Sequence, residues 1–139
     1  MMDEYIKELS QVDSEKISAA IRAVEAKYSI IFPKAYQQYA LQYDGAKLKL
    51  KKFSVEGYEC EISSIVPLGT DGLTFEKIAD SDREDGFISD TLYPITHNRG
   101  GDTYYWDNSN GAVYLLLSDD IEYPFKVCES VDAFFDLLK

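Results

Sequence analysis

Residues 93–117 read YPITHNRGGDTYYWDNSNGAVYLLL, and the fold turns on how this stretch is parsed. Tyr104 and Trp106, then Val113, Leu115 and Leu117, alternate with residues facing the other way, the period-two pattern of strands. The segment splits into three short strands, with a Gly-Gly junction after the first and a hairpin after the second. Asn110-Gly111 lies between the last two runs, and that dipeptide predicts a type I′ turn, whose two central residues both need positive φ. Gly100 and Gly101 are expected to serve backbone geometry, and Gly111 the turn. The stretch is the centre of a sheet.

Around it lie elements of other periods. Asp13 or Ser14 caps a predicted helix running to about Tyr28, with Ile17, Ala20, Ile21, Val24 and Tyr28 on one face. Pro33 is placed at the first position of a second helix, where a missing N–H is harmless. Tyr36, Tyr39, Ala40 and Tyr43 make its apolar stripe, and Gly45 closes it. Residues 46–53, AKLKLKKF, alternate lysine with apolar residues, as edge or near-edge strands do to discourage pairing with other chains. A further strand is expected over 58–62, with its turn at Val55-Glu56-Gly57. Residues 123–128 form the last strand, with Pro124 at its start. Ser130 then caps a closing helix whose apolar face is Val131, Phe134, Phe135 and Leu138. No repeat or linker interrupts the chain, so 1–139 is expected to be one domain.

The totals narrow the function. A chain of 139 residues, 45% apolar and 14% aromatic, can bury a core without metals or disulfides. No apolar run approaches the roughly 20 residues of a membrane helix, so no membrane partner is expected. The N-terminal residues lack the apolar centre of a signal peptide, which points to the cytoplasm. Cys60 and Cys128 show no metal-ligand spacing and read as buried free thiols. Fourteen basic against twenty-five acidic residues give a formal charge of −11. Direct nucleic-acid binding, which relies on Lys and Arg, is therefore not expected. Residues 56–90 hold ten acids and two bases, most of the excess. The stretch from 71 to 90 has no sustained period beyond a short helix around 74–79, and the remainder reads as an acidic loop. Charge so concentrated suits a basic partner; a merely solubilising role is the plainer alternative.

Catalytic chemistry finds little support. The single histidine, His97, could pair with Asp102 as acid–base machinery, but no nucleophile motif accompanies it. Arg99-Gly100-Gly101-Asp102 lacks the lysine and hydroxyl of a phosphate loop. In a calcium-loop register starting at Asp107, glycine falls at the fifth position instead of the sixth, and Ser118 stands where glutamate is needed. Neither a metal site nor a cofactor is expected, and the chain is not expected to be an enzyme.

Several motifs occur together in a recognisable order. A helix with Ile17, Ile21, Val24 and Glu25 leads through Ile31-Phe32-Pro33-Lys34-Ala35-Tyr36 to Tyr43-Asp44-Gly45. Gly100-Gly101-Asp102-Thr103-Tyr104-Tyr105-Trp106-Asp107, Gly111-Ala112-Val113-Tyr114 and Ser130-Val131-Asp132-Ala133-Phe134-Phe135-Asp136-Leu137-Leu138 follow. This order resembles the SUKH superfamily, in the branch related to the fungal cell-wall-synthesis regulators of the Smi/Knr type. Asp44-Gly45 stands where the branch has Asn-Gly, and Phe32 where it has leucine. The resemblance implies an α+β fold: a central, mostly antiparallel sheet with an N-terminal helix pair and a C-terminal helix packed against it. It further implies a bacterial immunity protein that neutralises a cognate polymorphic toxin domain, a nuclease being the expected class, with a non-catalytic adaptor in cell-wall or signalling regulation as the alternative. The resemblance brings no catalytic set. For the partner surface the acids of the aperiodic stretch are the candidates: Asp80, Asp82, Glu84, Asp85 and Asp90. Failing these, the surface is expected along the sheet near Tyr105, Asp107 and Tyr114.

Overall fold

The computed structural model describes residues 6–8, 13–68, 74–86, 88–118 and 120–137. Within them the chain forms, in order, β1 (Ile6–Glu8), α1 (Ser14–Tyr28), α2 (Lys34–Tyr43), β2 (Lys47–Val55), β3 (Tyr58–Ile65), α3 (Phe75–Asp85), β4 (Leu92–His97), β5 (Thr103–Asp107), β6 (Val113–Leu117), β7 (Asp120–Cys128) and α4 (Val131–Asp136). The strands make one seven-stranded sheet in sequence order, antiparallel at every pairing. This is the expected α+β architecture, with the 93–117 stretch supplying its middle.

Local chemistry explains most of the boundaries. The Asp13 carboxylate accepts from the amides of Glu15 and Lys16 and starts α1. Ser130 accepts from the Ala133 amide and starts α4. Leu138 lies outside the described residues, but Val131, Phe134 and Phe135 are buried as their spacing requires. Pro33 sits one position earlier than expected: it is the N-cap of α2, its carbonyl accepting from the Gln37 amide. Gly45, at φ 71°, lies just beyond the Asp44 cap. Asp44 is wholly buried, and its carboxylate accepts from the Leu68 amide at 2.6 Å. In this way the aspartate ties the end of α2 to the segment leaving β3.

Two turns differ from expectation. Asn110 is not at positive φ; Gly111 alone is, at 82°. The β5–β6 connection is therefore a five-residue loop, closed by the Gly111 amide on the Asp107 carbonyl and the Asp107 amide on the Ala112 carbonyl. Asn110 uses its side chain to accept from the Ala112 amide, which stabilises the wider loop. The two-residue hairpin with both central residues at positive φ is instead Glu56-Gly57, φ 51° and 83°, between β2 and β3. At the other junction Gly101 has φ 88° whereas Gly100 does not enter that region, so only Gly101 needs to be glycine for backbone reasons. Pro124 lies in the middle of β7 and not at its start. The terminal place of β7 in the sheet accommodates the missing donor. The lysine-rich β2 is next to the opposite edge, with β1 outside it.

The core is aromatic. Helices α1, α2, α4 and the first turns of α3 cover one sheet face, where Tyr93, Ile95, Tyr104, Trp106, Val113 and Leu115 are buried. Phe75 of α3 stacks on Tyr93 and meets Phe32 and Tyr28 edge-on. The opposite face carries a smaller cluster of Leu92, Tyr105 and Leu116, with Ile88 and Tyr114 against it. Tyr105 is consequently as buried as its neighbours, and β5 is covered on both faces.

Candidate functional site

The stretch expected to be an acidic loop is mostly helix, and the correction has a clear cause. Thr74 caps α3 by accepting from the Lys77 amide, and Gly86 in the left-handed region ends it. Phe75, Ile78 and Ala79 face the core. One helical repeat further, the inward positions 82 and 83 hold charged residues, so no apolar stripe continues in the sequence. Each charge finds a buried partner. The Tyr105 hydroxyl donates to Asp82 at 2.8 Å. Arg83 donates to the carbonyls of Asp90, at 2.7 Å, and Leu92, at 3.1 Å, and lies 4.3 Å from the Tyr93 ring centre.

The five candidate acids therefore divide. Asp80 forms an ion pair with Lys27 at 2.8 Å and accepts from the Tyr28 hydroxyl, joining α3 to α1. These contacts, Lys27 first, hold its carboxyl below the ordinary range. Burial raises the Tyr28 hydroxyl to about 12, with Asp80 adding to the shift. Asp82 is partly buried, and that burial pushes its carboxyl up despite the Tyr105 bond. Glu84, Asp85 and Asp90 are exposed, and among the described residues their carboxylates have no cation or hydrogen-bond donor. Glu84 and Asp85 also occupy the last turn of α3, against the helix dipole, where negative charge is disfavoured by about 0.3–1 kcal/mol.

A depression of about 250 Å³ is lined by Ser89, the chain neighbour of Asp90, together with Leu92, Asp107, Tyr114 and Pro124. It joins the turn after α3 to the outer sheet face, because the Asn108 amide donates to the Thr91 carbonyl. Asp107 and Tyr114, the second-choice positions on the sheet, thus line the same depression as Ser89 of the turn after α3. Tyr105 belongs to the buried cluster beneath. Arg83, Ser89, Leu92 and Pro124 were not legible as site residues; the one available signal was that Arg83 is one of only two bases within 56–90.

A second concavity, also about 250 Å³, lies where the β2–β3 hairpin curls over the sheet, among Lys52, Glu59, Glu61, Asp102, Tyr104 and Leu115. Tyr58 reaches Phe125 of β7 with ring centres 4.9 Å apart, although three strands separate theirs. Arg99 pairs with Glu61 at 3.3 Å.

His97 and Asp102 do not form the pair considered from sequence. His97 Nδ1 is 3.1 Å from Thr103 Oγ1, and burial lowers its pKa. The Asp102 carboxylate accepts from Asn98 Nδ2 and the Ser118 amide. Cys60 is buried and Cys128 half-buried, both as free thiols. No helix among the described residues is long and apolar enough to cross a membrane.

No curated protein matches the chain. The family model of SMI1 / KNR4 (SUKH-1) matches residues 18–137, from the second turn of α1 to the end of α4. Strands β2 to β7, the 93–117 centre among them, α2, α3, α4 and most of α1 fall within that match, and the chain belongs to the SMI1 / KNR4 family (SUKH-1).

Proposed function

We propose that this chain is an immunity protein that binds a cognate toxin domain with a basic surface, a nuclease being the class best suited, and blocks it sterically and electrostatically without catalysis. It acts in the cytoplasm of the cell it protects. Family membership supports the immunity role. The observation that carries the choice of surface is the set of carboxylates of Glu84 and Asp85 at the end of α3 and Asp90 in the turn after it, exposed and without a partner among the described residues, while Asp82 and Arg83 hold the helix from its other face. A nuclease needs cationic residues to hold its substrate's phosphates, and the same residues are attracted to an acidic inhibitor. Asp80 and Asp82 contribute by holding α3 in place.

The test begins with the protein encoded next to this one. Its C-terminal domain, expressed alone, should arrest growth, and co-expression of this chain should restore it. Charge reversal of Glu84, Asp85 and Asp90 together should slow association and flatten its salt dependence. A neighbour without toxicity, or toxicity that this chain does not relieve, would favour the adaptor role found among the fungal relatives.

A further inference from the structure

We infer that the depression between the 88–91 turn and strands β6 and β7 is the anchor of the partner interface, and that it takes a lysine or arginine side chain projecting from the partner. The inference rests on the proposed immunity reading for the partner's identity, but the pocket's own chemistry selects the occupant. A volume of about 250 Å³ falls below the roughly 300–1,000 Å³ typical of small-molecule sites and suits one long side chain. Leu92, Tyr114 and Pro124 offer apolar surface for a methylene stem.

The surrounding charge is negative. Asp107 lines the depression; its Oδ1 accepts from the amide and hydroxyl of Ser109, and Oδ2 has no donor among the described residues. Asp90 follows the lining residue Ser89 directly. The nearby cations are engaged elsewhere. Arg83 is directed to the carbonyls of Asp90 and Leu92. Lys126, the register partner of Tyr114, pairs with Glu129 at 2.7 Å. An apolar slot with the Asp107 carboxylate in its wall favours a cationic head on an aliphatic stem over a neutral or anionic group.

The occupant can be tested without the partner. Nα-acetyl-arginine amide is titrated into the ¹⁵N-labelled protein, with Nα-acetyl-norleucine amide as the neutral probe. The expected result is saturable shifts at the amides of Leu92, Asp107 and Tyr114 for the arginine probe only, lost in Ser89→Trp. Ser89 is exposed, and among the described residues its hydroxyl bonds only with Thr91, so the indole can fill the depression without disturbing the core; an unchanged melting temperature checks this. Asp107→Asn, which retains an acceptor for Ser109, should weaken the probe about tenfold, the loss of one charge-assisted contact. Absence of shifts, equal shifts with norleucine, or indifference to Ser89→Trp would overturn the assignment. Against the neighbouring toxin domain, Ser89→Trp should reduce affinity at least about tenfold. Unchanged toxin binding by that variant would sink the anchor and leave the immunity reading standing, whereas no binding by the wild-type chain would sink the reading itself.

Discussion

The two sides of α3 carry the same kind of residue to opposite ends. Asp80, though exposed, is engaged by Lys27 and Tyr28, while on the inner side Asp82 meets Tyr105 and Arg83 spans two carbonyls and an aromatic ring. On the outer side and just beyond the helix, Glu84, Asp85 and Asp90 meet solvent. Identical charges in one short stretch thus divide into those that hold the helix and those that it displays. Composition does not separate the two groups; only the partners do.

The most severe way to break the contrast is to detach the helix. Phe75 is fully buried among Phe32, Tyr28 and Tyr93, and Phe75→Ala should cost about 3–5 kcal/mol. Chemical denaturation should show the loss, and amide exchange should show α3 opening before the sheet. Arg83→Ala comes next, at about 1–3 kcal/mol, because two carbonyls and the Tyr93 ring lose their shared partner. It should also weaken toxin binding without touching an outward acid, by loosening the turn that carries Ser89 and Asp90. Binding that survives Arg83→Ala intact would show that the outer acids need no positioning.

Gly101→Ala serves as a control away from α3. An added Cβ there would meet nothing within 4 Å, so the cost, roughly 1 kcal/mol, comes from positive φ alone. Thermal unfolding should detect it while partner affinity stays unchanged, separating lost stability from lost recognition.

Asp82→Asn sharpens the comparison through pH. Burial raises the folded-state pKa of Asp82 above its ordinary 3.8, so the native state holds this proton more tightly than the unfolded chain. Between the two values the native protein binds more protons, and stability from this group falls as pH rises through that window. Asparagine can still accept from Tyr105 but carries no charge. Relative to the variant, wild type should therefore be most stable in acid and lose ground as pH rises, then level off above the folded-state pKa. A difference that grew with pH would mean that the carboxylate, and not its neutral form, is the favoured partner of Tyr105. The smallest stability effect belongs to reversal of Glu84, Asp85 and Asp90: melting should move little, while salt-dependent association changes most.

Much of this architecture could be read in advance where local chemistry and burial agree. Asp13 and Ser130 cap their helices, and Val113, Leu115 and Leu117 alternate with Tyr114 and Leu116 across the sheet. The departures occur where a position's role depends on a distant residue. Asn110-Gly111 has the composition of a tight turn, but side-chain bonds from Asp107 and Asn110 support a wider loop. The turn expected at Val55-Glu56-Gly57 is in place, and Glu56-Gly57 makes it the tight one, with β2 and β3 pairing directly up to Val55 and Tyr58.

The sequence by itself determined the strands of the 93–117 centre, the caps at Asp13 and Ser130 and the family, because periodicity, capping side chains and motif order act over a few residues or as a linear string. Tertiary structure alone decided that α3 continues past Ala79, and which of its acids find partners. At positions 82 and 83 a charged residue can face inward only if a hydroxyl, a carbonyl or a ring waits there. Those partners, Tyr105, Leu92 and Tyr93, belong to strands formed later in the chain. A stripe completed by polar contacts leaves no hydrophobic period to read, since its energy lies in pairings across the fold.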